Sequence, residues 1–155
     1  MTADACTGCA IDPERRQLLR VAASFAALGL LPTIVRALDV RAGAVTYPIP
    51  AADGVLIDKD NELILARWQN VVYAFNLSCP HQNTALRWNG ADHRFQCPKH
   101  HSQYGPDGAY IEGRATRSMD RLAIKRVGNA AIVDPDQLFK EDENAAEWKS
   151  AAISV

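Results

Sequence analysis

The sequence predicts an all-β fold, a small antiparallel sandwich or barrel, preceded by one N-terminal hydrophobic helix. Three observations predict it. Short runs of β-branched and aromatic residues alternate with turn signals through the middle of the chain. Two loops, each opening on a Cys with a His two or three residues later, interrupt those runs. An uncharged apolar stretch, Val21 to Val35, stands ahead of them behind a basic cluster. The length of 155 residues suits one domain, and a net charge of −1 gives no electrostatic case for a nucleic-acid partner.

Residues 1–42 read as a targeting segment and linker. Arg15-Arg16-Gln17-Leu18-Leu19-Arg20 precedes the apolar stretch, and Arg36 closes it. The arginine pair followed by two leucines resembles a twin-arginine export signal, although Glu14 stands where that pattern prefers Ser or Thr. The stretch has fifteen residues, which as a helix span about 22 Å at about 1.5 Å per residue. That is short of a bilayer core of about 30 Å, but Arg20 and Arg36 at its ends can snorkel to the interfaces. Arg36-Ala37-Leu38 is a poor cleavage site, so a retained membrane anchor is favoured over a cleaved signal. Cys6 and Cys9 precede this segment and are assigned no role.

Residues 43–136 read as the main domain and 137–155 as a part-helical tail. The span Asp39 to Asp53 reads as linker and domain entry, with Gly43, Pro48 and Pro50. Val55-Leu56-Ile57 leads into a turn at Asp58-Lys59-Asp60-Asn61. Glu62 to Trp68 and Val71 to Leu77 are two strands joined at Gln69-Asn70. Arg94-Phe95-Gln96 and Ala109-Tyr110-Ile111 are shorter strands. Leu122 to Val127 and Ala130 to Val133 flank Gly128-Asn129, a two-residue hairpin signal. Asp136 is placed to cap a short helix through Phe139.

The chemistry sits in two loops. One reads Cys79-Pro80-His81-Gln82-Asn83-Thr84; the other reads Cys97-Pro98-Lys99-His100-His101-Ser102-Gln103-Tyr104. Thiolate suits iron–sulfur clusters and imidazole suits iron, so one Cys and one His per loop can give one iron both thiolates and the other both imidazoles. A Cys2His2 zinc site needs the same side chains, but such sites pair their cysteines in one knuckle. Four unrelated core residues are the other alternative. His93 reads as structural and His101 as a surface residue.

At these residues the sequence resembles the Rieske 2Fe–2S family, over roughly Val45 to Asp134. The resemblance implies a small antiparallel β domain whose two loops form one tip. There Cys79, His81, Cys97 and His100 hold a single cluster. High-potential members carry one more cysteine in each loop, joined as a disulfide; Thr84 and Lys99 occupy those positions here. Ser102 and Tyr104 stand where such members place hydroxyls on a bridging sulfur and on a ligand cysteine, which implies a high or intermediate potential. Lys99 adds a cation that favours the reduced state. Gly113-Arg114-Ala115 replaces the family's Gly-Pro-Ala covering stretch. Each iron-bound imidazole would keep one titratable nitrogen, so the potential is expected to fall as pH rises.

The resemblance implies electron transfer with no independent substrate chemistry; the chain is too short for a catalytic oxygenase domain. The expected role is the iron–sulfur subunit of a membrane quinol-oxidising complex with cytochrome b and c partners, on the periplasmic side. The alternatives are the small subunit of a molybdenum oxidase of the arsenite oxidase type, beside its large subunit, or a free periplasmic carrier. A zinc-bound, non-redox module is the reading from another class.

Overall fold

The computed structural model describes residues 43–155. The signal or anchor expected over residues 1–42, with Cys6 and Cys9, lies outside the described residues. Among the described residues no helix is long and apolar enough to cross a membrane.

The described residues form eleven strands and one helix: β1 (Val45–Pro48), β2 (Gly54–Asp58), β3 (Leu63–Trp68), β4 (Val71–Asn76), β5 (Arg87–Asn89), β6 (Arg94–Gln96), β7 (Gln103–Tyr104), β8 (Tyr110–Glu112), β9 (Arg121–Val127), β10 (Ala130–Phe139), α1 (Ala145–Ser150) and β11 (Ile153–Ser154). Every pairing is antiparallel. The larger sheet runs β1-β10-β9-β4-β3-β2, with β11 also on β4; the smaller runs β5-β6-β7-β8. The β3–β4 hairpin turns at Gln69 and Asn70, whose φ values of 49° and 64° are those of a type I′ turn.

Two expectations are corrected. Val45–Pro48, read as linker, is a strand: Tyr47 is buried and the segment pairs with Ala130–Val133. It is a short edge strand ending in proline, a residue tolerated there, and four residues are too few for alternation to mark it in the sequence. The helix expected over Asp136–Phe139 is instead the end of β10. A bulge between Asp134 and Leu138 absorbs Pro135 and lets Leu138 and Phe139 rejoin β9. The chain beyond residue 136 continues into the same sheet: β11 lies on β4, and the Trp148 indole N–H donates to the Met119 carbonyl at 2.8 Å.

There are two cores. Tyr47, Leu63, Leu65, Val72, Ala74, Leu122 and Val133 fill one face of the larger sheet. Ile64, Ala66 and Phe75, from the other face of β3 and β4, and Leu77 just after β4 pack with Phe95, Tyr104, Met119, Cys79 and Cys97. Alternation along each strand sends successive side chains to opposite faces, which is why β3 and β4 are buried on both. The second core is the floor on which the two loops stand.

The smaller sheet sets the position of the loops. It is inserted between β4 and β9, and its register aligns Arg87, Gln96, Gln103 and Glu112 in one row. The row marks the start of β5, the end of β6, the start of β7 and the end of β8. The first loop enters at Arg87, the second joins Gln96 to Gln103, and the covering segment leaves at Glu112. A plain meander thus delivers all three segments to one end of the sheet.

Candidate metal centre

The two loops close in the same way. In the first, Cys79 N–H donates to the Thr84 carbonyl and Asn83 N–H to the Cys79 carbonyl, both at 2.9 Å. In the second, Cys97 N–H donates to the Ser102 carbonyl at 2.9 Å and His101 N–H to the Cys97 carbonyl at 3.0 Å. The fourth residue after each cysteine takes the left-handed conformation, Asn83 at φ 49° and His101 at φ 59°. Asn and His are among the non-glycine residues that tolerate it. His101 is therefore where it is for its backbone, and its side chain is exposed.

These closures set the donors in an inner and an outer pair. Cys79 and Cys97 are 0% and 2% exposed, unoxidised and side by side. His81 and His100 are only partly buried, their rings edge-to-face with centroids 5.0 Å apart. The Nδ1 atoms of both are buried and have no hydrogen-bond partner. A buried polar atom without a partner is costly, and two such atoms from two loops, beside two free thiols, fit a group that takes all four. A binuclear cluster takes its donors two by two, as the inner pair of thiols and the outer pair of imidazoles are set here.

Burial pushes the Cys79 thiol up, against the pull of hydrogen bonds from Tyr104 and the His81 backbone. Partial burial, then Arg114, His81, Lys99 and His101, hold the His100 imidazole below its ordinary value. A neutral imidazole is the form that binds metal.

The Tyr104 hydroxyl lies 3.3 Å from Cys79 Sγ. Burial, then the Cys79 sulfur, push its ionisation well above the phenol range, so it stays a donor. Ser102 is fully buried, and its Oγ accepts the backbone N–H groups of Arg114 and Ala115 at 3.1 and 3.0 Å. Its own proton remains to donate. Ser102 thus ties the covering segment to the second loop, a role its sequence position did not reveal. Gly113 makes the tie possible: at φ 113°, a Cβ there would fall 2.4 Å from Ser102 Cα. Tyr110 O–H donates to the Gly113 carbonyl at 2.8 Å and closes the same turn from outside.

His93 is away from the donors, its ring 4.9 Å from that of Trp68 and 6.4 Å from that of Trp88. Thr84 and Lys99 carry no cross-link, and the backbone closures above hold the loops in its place. Sequence reasoning missed Arg121. Its buried guanidinium donates to the carbonyls of Trp148 and Asp107, both at 2.8 Å, and lies 3.7 Å over the Trp148 ring. It fastens the turn after β7 to α1. A charged residue opening a strand gives no pattern by which to expect this.

The family described as the Rieske [2Fe-2S] domain matches residues 47–127. The cytochrome b6-f complex iron-sulfur subunit 1 of Synechocystis is 45% identical over 62 residues, 40% of this chain and 31% of that protein. The cytochrome b6-f complex iron-sulfur subunit 3 of Nostoc is 33% identical over 58 residues, 37% of this chain and 33% of that protein. The chain spans about a third of the length of these curated relatives. The crystal structure of the cyanobacterial plasma membrane Rieske protein from Synechocystis aligns with a TM-score of 0.48 at 21% identity, over 57% of this chain and 97% of that one.

Proposed function

The chain belongs to the Rieske [2Fe–2S] domain family, which binds a single 2Fe–2S cluster, and from that premise we propose that it passes electrons through a cluster held by Cys79, His81, Cys97 and His100. The observation that carries the ligand assignment is the inner pair of thiols and outer pair of imidazoles with both Nδ1 atoms unpartnered. When bound, the cluster supplies a one-electron redox couple. The chain's own residues do the rest. Phe75, Phe95 and Met119 exclude water beneath the thiols. Tyr104 holds a proton toward Cys79, and Ser102 fixes the cover. The two imidazoles stand on the outer side, where a partner can approach.

The complex proposed is a membrane quinol-oxidising assembly of the cytochrome bc or b6f type, with cytochrome b and c as partners. Its support is the identity to two cytochrome b6-f iron-sulfur subunits, 33% over 58 residues and 45% over 62. Delivery by the twin-arginine route to the periplasmic side, with the apolar segment retained as anchor, is part of the proposal. It rests on Arg15, Arg16 and the stretch from Val21 to Val35. A cluster made in the cytoplasm needs a route that carries folded protein, and that signal type provides one.

The test is purification of the protein from membranes with its companions. A red-brown protein with the low average g of a His-ligated cluster, accompanied by cytochrome b, is expected. A large molybdopterin subunit in that place, or a protein recovered alone, would overturn the complex assignment. A colourless protein containing zinc would overturn the electron-transfer reading itself.

A further inference from the structure

The end of the smaller sheet that presents His81 and His100 carries an excess of positive charge that no carboxylate among the described residues pairs. The two loops, residues 79–84 and 97–102, and the covering residues 113–116 contain Lys99 and Arg114 and no carboxylate. Arg87 stands at one end of the row that launches these segments, and Glu112 at the other. That makes three cations against one carboxylate, all four exposed. Lys99, Arg87 and Arg114 form no ion pair among the described residues. Among the other cations, Arg67, Arg94, Arg117 and Lys140 pair with carboxylates, Arg121 and Arg126 bond to carbonyls, and exposed Lys59 lines the groove beside Arg87. Lys99 directly precedes His100 in the second loop, and Arg114 is tied to the same loop through its N–H bond to Ser102 Oγ. Beside Arg87 a groove of about 680 Å³ opens, lined by Leu77, Leu86, Trp88 and Pro98 and by Thr84 of the first loop. Apolar contact area bordered by charge is the anatomy of a protein interface.

Electron transfer needs close approach to the imidazoles, so any partner meets these cations. We propose that this tip is a basic docking face, and that the protein's electron partner presents a carboxylate-rich surface around its own redox centre. This inference rests on the electron-transfer reading above. It concerns which partner docks and how, which that reading leaves open. Whole-molecule charge does not account for such a preference, because the net charge is −1. Attraction of an anion has to come from the local field of the tip, which is felt over a Debye length of about 8 Å at physiological salt.

The experiment uses the reduced, cluster-loaded protein in stopped flow. It compares ferricyanide with a tris-phenanthroline cobalt(III) cation, and an acidic blue-copper protein with a basic cytochrome c. Ionic strength runs from about 0.01 to about 0.5 M. Ferricyanide and the acidic protein are expected to lose about tenfold in rate constant across that range, while the two cationic oxidants gain or stay level. Lys99→Glu with Arg114→Glu should abolish or invert the dependence. Arg126→Glu, near the opposite end of β4, should leave it intact. A flat response to ferricyanide, or a faster salt-sensitive reaction with the cations, overturns the docking face alone. So does binding to anionic vesicles with no salt effect on electron transfer, which would assign the cations to lipid. Loss of the low-g signal from the unmodified protein brings down the electron-transfer reading, and this inference with it.

Discussion

Replacing Tyr104 by Phe isolates the effect of one proton. The ring is fully buried among Phe75, Phe95 and Met119, and Phe keeps its shape and packing. What is lost is the hydroxyl 3.3 Å from Cys79 Sγ. Reduction adds negative charge that is shared by the ligand sulfurs, so a donor to sulfur binds the reduced state more tightly. Removing the donor must therefore lower the potential. A neutral hydrogen bond contributes about 1 kcal/mol net, and one to a charged acceptor about twice that. A preference of about 1–2 kcal/mol for the reduced state, at about 59 mV per 1.4 kcal/mol for one electron, gives a fall of about 40–90 mV. The effect persists across working pH because Tyr104 ionises far above it. Redox titration followed by EPR reads the shift, and unchanged g-values certify an intact cluster. An unchanged or higher potential would refute the reasoning, because it would mean that the hydroxyl does not distinguish the two states.

Other outcomes follow from the same contacts. Gly113→Ala puts a Cβ 2.4 Å from the Ser102 backbone at a left-handed φ, so the cover must shift; a loss of about 2 kcal/mol or more and faster bleaching of the cluster are expected in thermal and visible-absorption measurements. Arg121→Met removes the cation that joins the Asp107 turn to α1, and urea titration should show a loss of about 2–4 kcal/mol. The Tyr47–Asp58 bond, 2.7 Å long, holds the carboxyl down at about 2 and, after burial, raises the phenol to about 12. The depressed carboxyl stabilises the fold above its ordinary 3.8 and loses that contribution as pH falls toward 2; the raised phenol stabilises below 10 and loses it between 10 and 12. The gap in Tm between the protein and Tyr47→Phe should therefore be level at neutral pH and close in both windows. The potential of the loaded protein should fall as pH rises through the titration of its outer imidazoles, and a flat response to strongly alkaline pH would refute that coupling.

The parts of the fold visible in the sequence are those with long apolar runs. β3 and β4 are near-continuous apolar runs of six residues each, and the Gln69-Asn70 turn between them has its own chemistry. β5 and β7 have three and two residues and stand inside a loop-rich stretch, too short for alternation to register. α1 has six residues and one buried side chain, Trp148, so no helical face repeats. The four donors were legible because their spacing is local to each loop. The tie from Ser102 to Arg114 and Ala115, and the bonds from Arg121 to Asp107 and Trp148, join residues 12 to 27 positions apart through backbone groups. Backbone groups are the same in every residue, so side-chain identity carries no trace of such bonds.

The missing cross-link between the loops takes on a different meaning once these ties are in view. A disulfide would clamp the loop tips to each other, at the positions of Thr84 and Lys99. Here each loop is closed on itself by two backbone bonds, and the links between segments lie lower and to one side. Tyr104, just beyond the second loop, reaches Cys79 of the first, and Ser102 holds the cover. The tip residues are then released from covalent duty. Position 99 is free to carry an exposed lysine that forms no ion pair among the described residues. Arg114 is offered in the same way, because its backbone N–H, and not its side chain, makes the structural contact. Rigidity is supplied by main chain and buried hydroxyls, and the surface side chains around the imidazoles are left for recognition. That separation lets the charge of the docking face vary without disturbing the geometry that holds the cluster.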